Sequence, residues 1–258
     1  ALTIIKDKIQ VREKEGGKTY RYCIARCRCG NEIQARTGSL TIGHTQSCGC
    51  VNRYALNTRS TIFQERNEET LYWGGVMASD GNVHKSAVSV GLKESDVDHL
   101  YRLKEWLGAE TKIYYKAKTK SYCFRVKNQR ICEDLLEYGV TPNKSLTYDP
   151  PLFCEQSPDF WRGMIDGDGH IGKKRPIISL FGTKMACDSF RRFVKAFCNS
   201  EANTCKHNNI FTIRYSGPYA IQIMQKLYGN NPKFYLDRKY ELANKFCNFT
   251  LADDNGII

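Results

Sequence analysis

One layout occurs twice in this sequence. "TLYWGGVMASDGNV" runs from Thr70 to Val83, and "DFWRGMIDGDGHI" from Asp159 to Ile171. Each carries a tryptophan (Trp73, Trp161), then glycine and methionine, then Asp-Gly (Asp80-Gly81, Asp168-Gly169). A stretch repeated at a domain-sized spacing reads as an internal repeat. It predicts a chain of two similar halves, each opened by a helix that ends at an aspartate.

Glycine inside a helix costs ~1 kcal/mol against alanine, so it needs a packing reason. Gly74, Gly75, Ala78 and Ser79 in one stretch, and Gly163 and Gly167 in the other, leave one helix edge without bulk. Two such helices can cross with backbones almost in contact, which would bring Asp80 beside Asp168. That pairing is electrostatically poor. Two like charges would meet two helix C-termini, each the negative end of a dipole. A divalent cation relieves the conflict, and oxygen ligands select a hard ion, Mg²⁺ or Mn²⁺. Such ions support phosphodiester hydrolysis. The plainer alternative makes each Asp-Gly a turn. It suffices for either site alone and is weaker for both together in a basic chain.

The net charge is +12 with a pI near 9.1, and Lys and Arg are spread along all 258 residues. A folded basic protein most often meets nucleic acid. No apolar run approaches the ~20 residues that span a bilayer, and no signal peptide is visible, so membrane and secreted readings are set aside. The expectation is a cytoplasmic or organellar protein.

The order of elements supports the repeat. After the first helix, "AVSVGLKES" alternates with Val88, Val90 and Leu92 on one face, and "DVDHLYRLKEWLG" has helical spacing through Leu100, Leu103 and Leu107. A hairpin, "TKIYYKAKTKSYCFRVKN", and a helix, "QRICEDLLEYG", follow. The second half gives strand "RPIISLFGT", helix "KMACDSFRRFVKAFC", hairpin "TCKHNNIFTIRYSG" and helix "PYAIQIMQKLYG". Each half reads α-β-β-α-β-β-α, an α+β fold. The predicted division is 1–52, a linker at 53–66, and halves at 67–150 and 151–258.

Residues 1–52 stand apart. A β-hairpin turning at Gly16-Gly17 leads to Cys27-x-Cys29 and, after eighteen intervening residues, Cys48-x-Cys50. Two thiolate pairs can hold a tetrahedral Zn²⁺. C-x-C is tighter than the usual spacing, Cys23 is an alternative ligand, and reduced core cysteines are the alternative reading. So small a region lacks a core of its own, and metal would help it fold. The segment resembles the "CxCG…SCGC" module of many phage-type endonucleases.

The two repeated stretches resemble the paired motifs of single-chain LAGLIDADG homing endonucleases. "GMIDGDG" (Gly163 to Gly169) matches closely and "GVMASDG" (Gly75 to Gly81) more loosely, with "YGVTPNKSLTYDPP" and "FYLDRKYELANKF" following. The resemblance covers residues 67 to 250. It implies two lobes about a pseudo-two-fold axis, each laying a curved antiparallel sheet along the DNA major groove as a saddle. Cleavage would cross the minor groove and leave short 3′ overhangs. It makes Asp80 and Asp168 the metal ligands, helped by the backbone carbonyls of Ser79 and Gly167. Lys144 and Lys239 match the family's basic residues near the site. One departure stands out: the first acid of the motif is Asp166 in the second copy and Ala78 in the first.

Strand alternation predicts the DNA-facing side chains. Lys112, Tyr114, Lys116, Lys118 and Lys120 would share one face, opposite Ile113, Tyr115 and Ala117. Arg125 and Lys127 would lie outward from Tyr122, Phe124 and Val126. Thr212 and Arg214 would lie outward from Phe211, Ile213 and Tyr215. Lys85, Lys93 and the run Lys173, Lys174 and Arg175 complete the expected contacts. The five histidines carry no recognisable pattern. The expectation is a monomeric endonuclease for double-stranded DNA with a long recognition site. The alternative is a non-catalytic nucleic-acid binder on the same scaffold, an RNA-splicing maturase or a regulator.

Overall fold

The computed structural model of the chain describes residues 2–14, 18–28, 30–49 and 58–248. At the N-terminus, β1 (Leu2–Lys14), β2 (Lys18–Cys27) and β3 (Glu32–Arg36) form an antiparallel sheet in that order, followed by the short helix α1 (Thr37–Thr41). Cys23, Ala25 and Ala35 are buried there. The expected turn at Gly16-Gly17 lies outside the described residues.

The first lobe runs α2 (Glu68–Ser79), β4 (Gly81–His84), β5 (Ala87–Lys93), α3 (Val97–Trp106), β6 (Tyr114–Lys116), β7 (Ser121–Lys127) and α4 (Gln129–Glu137). A short α5 (Leu152–Glu155) leads to the second lobe. That lobe runs α6 (Pro158–Asp168), β8 (Gly169–Ile171), β9 (Ile177–Gly182), α7 (Lys184–Lys195), β10 (Cys205–His207), β11 (Ile210–Ser216) and α8 (Pro218–Tyr228). A further helix, α9 (Asp237–Cys247), closes the described chain. The sheets have the same order, β4-β5-β7-β6 and β8-β9-β11-β10, and every pairing is antiparallel.

Local chemistry sets the two leading helices. Asn67 caps α2 by accepting from Thr70 N at 3.0 Å, and Glu68 and Glu69 favour its positive end. Ser157 caps α6 by accepting from Phe160 N at 3.2 Å, and Pro158 starts the helix. Both helices pass straight into a strand. Gly81 and Gly169 permit this, because a β-carbon on either would stand 2.5 Å from the carbonyl oxygen of Met77 or Ile165.

One hydrophobic core runs through both lobes and is joined by Ile62 and Phe63. Val88, Val90, Leu92, Leu100, Leu103 and Leu107 all belong to it. Alternation fails in one strand. β6 has three residues, all exposed, and Lys118 falls in a 3-10 turn with Ala117, which is also exposed. Lys120 ends that turn at φ 47. A turn that closes by a left-handed residue cuts the strand short, so Lys116, Lys118 and Lys120 do not share one strand face. Lys112 precedes the strand.

Candidate active site

Helices α2 and α6 cross at Gly75 and Gly163. A β-carbon on Gly75 would overlap the Phe160 carbonyl oxygen and lie 2.9 Å from Met164 N; one on Gly163 would overlap the Tyr72 carbonyl oxygen and lie 2.9 Å from Val76 N. The helices therefore touch backbone to backbone, and their C-terminal ends converge. A β-carbon on Gly167 would stand 3.0 Å from Asp80 Oδ2, so the first-lobe carboxylate packs directly against the second-lobe helix.

Asp80 is half-buried and Asp168 exposed. Among the described residues, neither carboxylate accepts a hydrogen bond or forms an ion pair. Burial, and then the charge of Asp168, push the Asp80 carboxyl up to about 6. Desolvation among the converging helix ends also raises Asp168, against the pull of Lys144 and Lys239.

Both lysines are buried, at 6% and 3% exposure. Lys144 Nζ donates to the Ser79 carbonyl at 3.0 Å. Lys239 Nζ sits within hydrogen-bond reach of four carbonyls, those of Ile165, Asp166 (2.7 Å), Gly167 (3.3 Å) and Gly169 (2.9 Å), which its three protons share. A lysine at a helix C-terminus satisfies orphan carbonyls and opposes the dipole. Burial pulls Lys239 down to about 8 and lowers Lys144 as well. The conflict of two acids at two negative helix ends is thus partly met by the chain's own cations. The Ser79 and Gly167 carbonyls, expected to assist a metal, already accept from lysines, each retaining a second lone pair.

These donors fit a hard divalent cation. Two converging carboxylates form no hydrogen bond or ion pair among the described residues and offer hard oxygen donors side by side. An open cleft of about 230 Å³ runs beside Asp168, lined also by Lys144, Ala78, Ser79, Thr183 and Ile210 among others.

A second network was not visible in the sequence. Asp166, 3% exposed, accepts from Tyr72 Oη (2.8 Å), Tyr228 Oη (2.7 Å) and Leu236 N (2.8 Å). Tyr72 Oη also lies 2.9 Å from His99 Nε2. The single Tyr72 hydroxyl proton goes to Asp166, which leaves His99 Nε2 as the donor to Tyr72 Oη. Burial holds the His99 pKa down at about 4. One signal existed: Tyr72 aligns with Phe160, so the hydroxyl is present on the helix that faces Asp166 and missing from the one that faces Ala78.

The expected DNA contacts are dispersed over both sheets. Arg125 and Lys127 are exposed on β7, and Lys93 is exposed at the end of β5. Lys85 sits exposed at φ 54 between β4 and β5. Lys173, Lys174 and Arg175 are exposed between β8 and β9. Arg214 is outward and donates to Ser179 Oγ at 3.3 Å. Thr212 departs from expectation: it is half-buried, and its hydroxyl is shielded without a partner among the described residues.

Of the expected zinc ligands, Cys27 is buried in β2 and Cys48 half-buried, while Cys29 and Cys50 lie outside the described residues. Among the described residues, no group of three His, Cys, Asp or Glu side chains is placed to hold a metal.

No family model matches the sequence, and no curated protein resembles it significantly. Solved structures do. Mesophilic variants of the homing endonuclease I-DmoI match 69% of this chain over 97% of their own, at 13% identity and a TM-score of 0.50. The I-LtrWI LAGLIDADG homing endonuclease bound to target DNA matches 70% of this chain over 90% of its own, at 13% identity and a TM-score of 0.46. Full-length DUF199/WhiA from Thermatoga maritima matches 74% of this chain at 13% identity and a TM-score of 0.49. The match spans 63% of that protein, less than two thirds of its length. The fold, mixed helices and antiparallel sheets, is that of the I-DmoI variants.

Proposed function

We propose that this chain is a divalent-cation-dependent endonuclease that cuts both strands of DNA at a long recognition site. The observation that carries the reading is the pair Asp80 and Asp168. Two carboxylates, unpaired among the described residues, converge at the ends of two crossing helices, beside two buried lysines. A fold shared with the homing endonuclease I-DmoI is consistent with it.

In this reading Asp80 and Asp168 hold Mg²⁺ or Mn²⁺, with the Ser79 and Gly167 carbonyls nearby. The cation would supply Lewis-acid stabilisation and lower the pKa of water at the scissile phosphate. Lys144 and Lys239, fixed and desolvated, place positive charge where the phosphorane gains negative charge. Lys85, Lys93, Lys116, Lys118, Lys120, Arg125, Lys127, Lys173, Lys174, Arg175 and Arg214 neutralise phosphates or read base edges in the major groove.

Residues 1–52 act as an accessory DNA-binding module on Zn²⁺ held by Cys27, Cys29, Cys48 and Cys50, ahead of lobes at 67–150 and 151–258; the segment 53–66 between them is a linker only in its first part, since Ile62 and Phe63 pack into the core. The protein works as a monomer, since one chain carries both motifs.

The test is cleavage of a randomised double-stranded DNA library with Mg²⁺, followed by sequencing of the ends. A unique long motif cut on both strands is the expected result. Binding to a motif without cleavage in Mg²⁺ or Mn²⁺ would move the chain to the non-catalytic class.

A further inference from the structure

The two halves of the site are not equally built. In the second lobe, Leu236 is the residue that caps the start of α9, and Lys239 lies one turn into that helix. The N–H of Leu236 is held by Asp166 Oδ2 at 2.8 Å. Asp166 is held in turn by Tyr228 from α8 and by Tyr72 from the other lobe's α2. The reach of Lys239 is therefore set from a buried carboxylate that both lobes grip. In the first lobe the aligned residue is Ala78, which has no acceptor. Lys144 starts a 3-10 turn after Asn143 at φ 58 and lies in the wall of the open cleft. Its Nζ donates to the Ser79 carbonyl at 3.0 Å.

We propose that Asp166 is a one-sided positioning residue: through Leu236 it fixes Lys239, and its loss slows cleavage of only the strand that Lys239 serves. The inference rests on the nuclease reading above. It assigns the sequence asymmetry Ala78/Asp166 a consequence, unequal support for the two strand cuts. Asp166 touches no reacting atom in this scheme. A buried acceptor of three donors would ordinarily be a fold element alone, and removing it would then affect both strands alike.

The experiment uses the full chain and a duplex carrying the site recovered from the library, each strand labelled separately, in Mg²⁺. Lys239→Met and Lys144→Met first establish which strand each lysine serves. Asp166→Ala is then expected to slow the Lys239 strand at least about tenfold, as a misplaced group does, and to leave the other near the wild-type rate. Added to Lys239→Met, it should give no further loss on that strand. Asp166→Asn should lie between, because its amide oxygen can still accept from Leu236 N–H. Equal slowing of both strands, or a bias toward the strand of Lys144, overturns the proposal.

A second readout needs no cleavage. Acylation of native protein, followed by mass spectrometry, reports each lysine's accessibility. Asp166→Ala, or Asp166→Asn where the alanine variant does not fold, should raise modification of Lys239 and leave Lys144 unchanged. No change at Lys239, or the same change at both, overturns the anchoring. If the wild-type chain cuts no DNA, the nuclease reading fails, and the acylation result alone decides the link from Asp166 to Lys239.

Discussion

Gly75 faces Gly163 across the helix crossing: a β-carbon on either would stand 3.0 Å from the α-carbon of the other. The obstacles around both are backbone atoms, which cannot rotate away. Gly163→Ala should therefore destabilise by about 1–3 kcal/mol, and a valine there by more. Denaturant unfolding measures it. Gly182→Ala is the control, since its β-carbon would meet only Ala186 Cβ at 3.7 Å. Equal effects at the two sites would contradict the close crossing.

Asp80 gives a pH prediction. Its carboxyl is raised from 3.8 to about 6, so the folded chain holds that proton more tightly than the unfolded one. Its contribution to stability is full below about pH 4, is lost as pH rises through about 6, and stays low above. A cation binds the deprotonated form. Excess Ca²⁺ should therefore raise Tm more at pH 7.5 than at pH 5. Asp80→Asn should melt no lower than wild type at pH 7.5 without cation, and should show a smaller Ca²⁺ shift. A Ca²⁺ shift of the same size at both pH values would contradict this.

Much of the fold was legible because the repeat made each half a check on the other. The Gly75 and Gly163 stretches implied the close crossing, and the periodicity through Leu100, Leu103 and Leu107 matched the core. Lys144 and Lys239 came from the resemblance, and their burial did not follow from any local pattern. What was illegible was long-range. Tyr72, His99, Asp166 and Tyr228 come from four helices, and no spacing rule joins them. β6 was overread because alternation continued through Ala117 to Lys120 while the backbone turned.

The zinc assignment makes a separate prediction. Elemental analysis should find about one zinc per chain, lost when Cys27 or Cys48 is replaced by serine. Deleting residues 1–52 should weaken DNA binding and shorten the footprint on one side of the cut. A zinc-free protein with an intact N-terminal region would sink the assignment.

Salt dependence tests the charged surface. Each neutralised phosphate contributes a slope of about −0.9 to log K against log salt. The steepness should fall by about one contact in Arg125→Ala. A flat response in the wild-type chain would argue against DNA as the partner of the two sheets.

The central claim is that Asp80 and Asp168 hold the cation on which hydrolysis depends. Asp168→Asn keeps the shape and eases repulsion at the helix ends, but it weakens a ligand. The measurement is plasmid cleavage in Mg²⁺ beside DNA binding in Ca²⁺, for Asp80→Asn, Asp168→Asn and wild type. Double-strand cleavage should fall by orders of magnitude in both variants while binding stays near wild type. Either variant cutting both strands at the wild-type rate would contradict the claim and return these aspartates to turn residues.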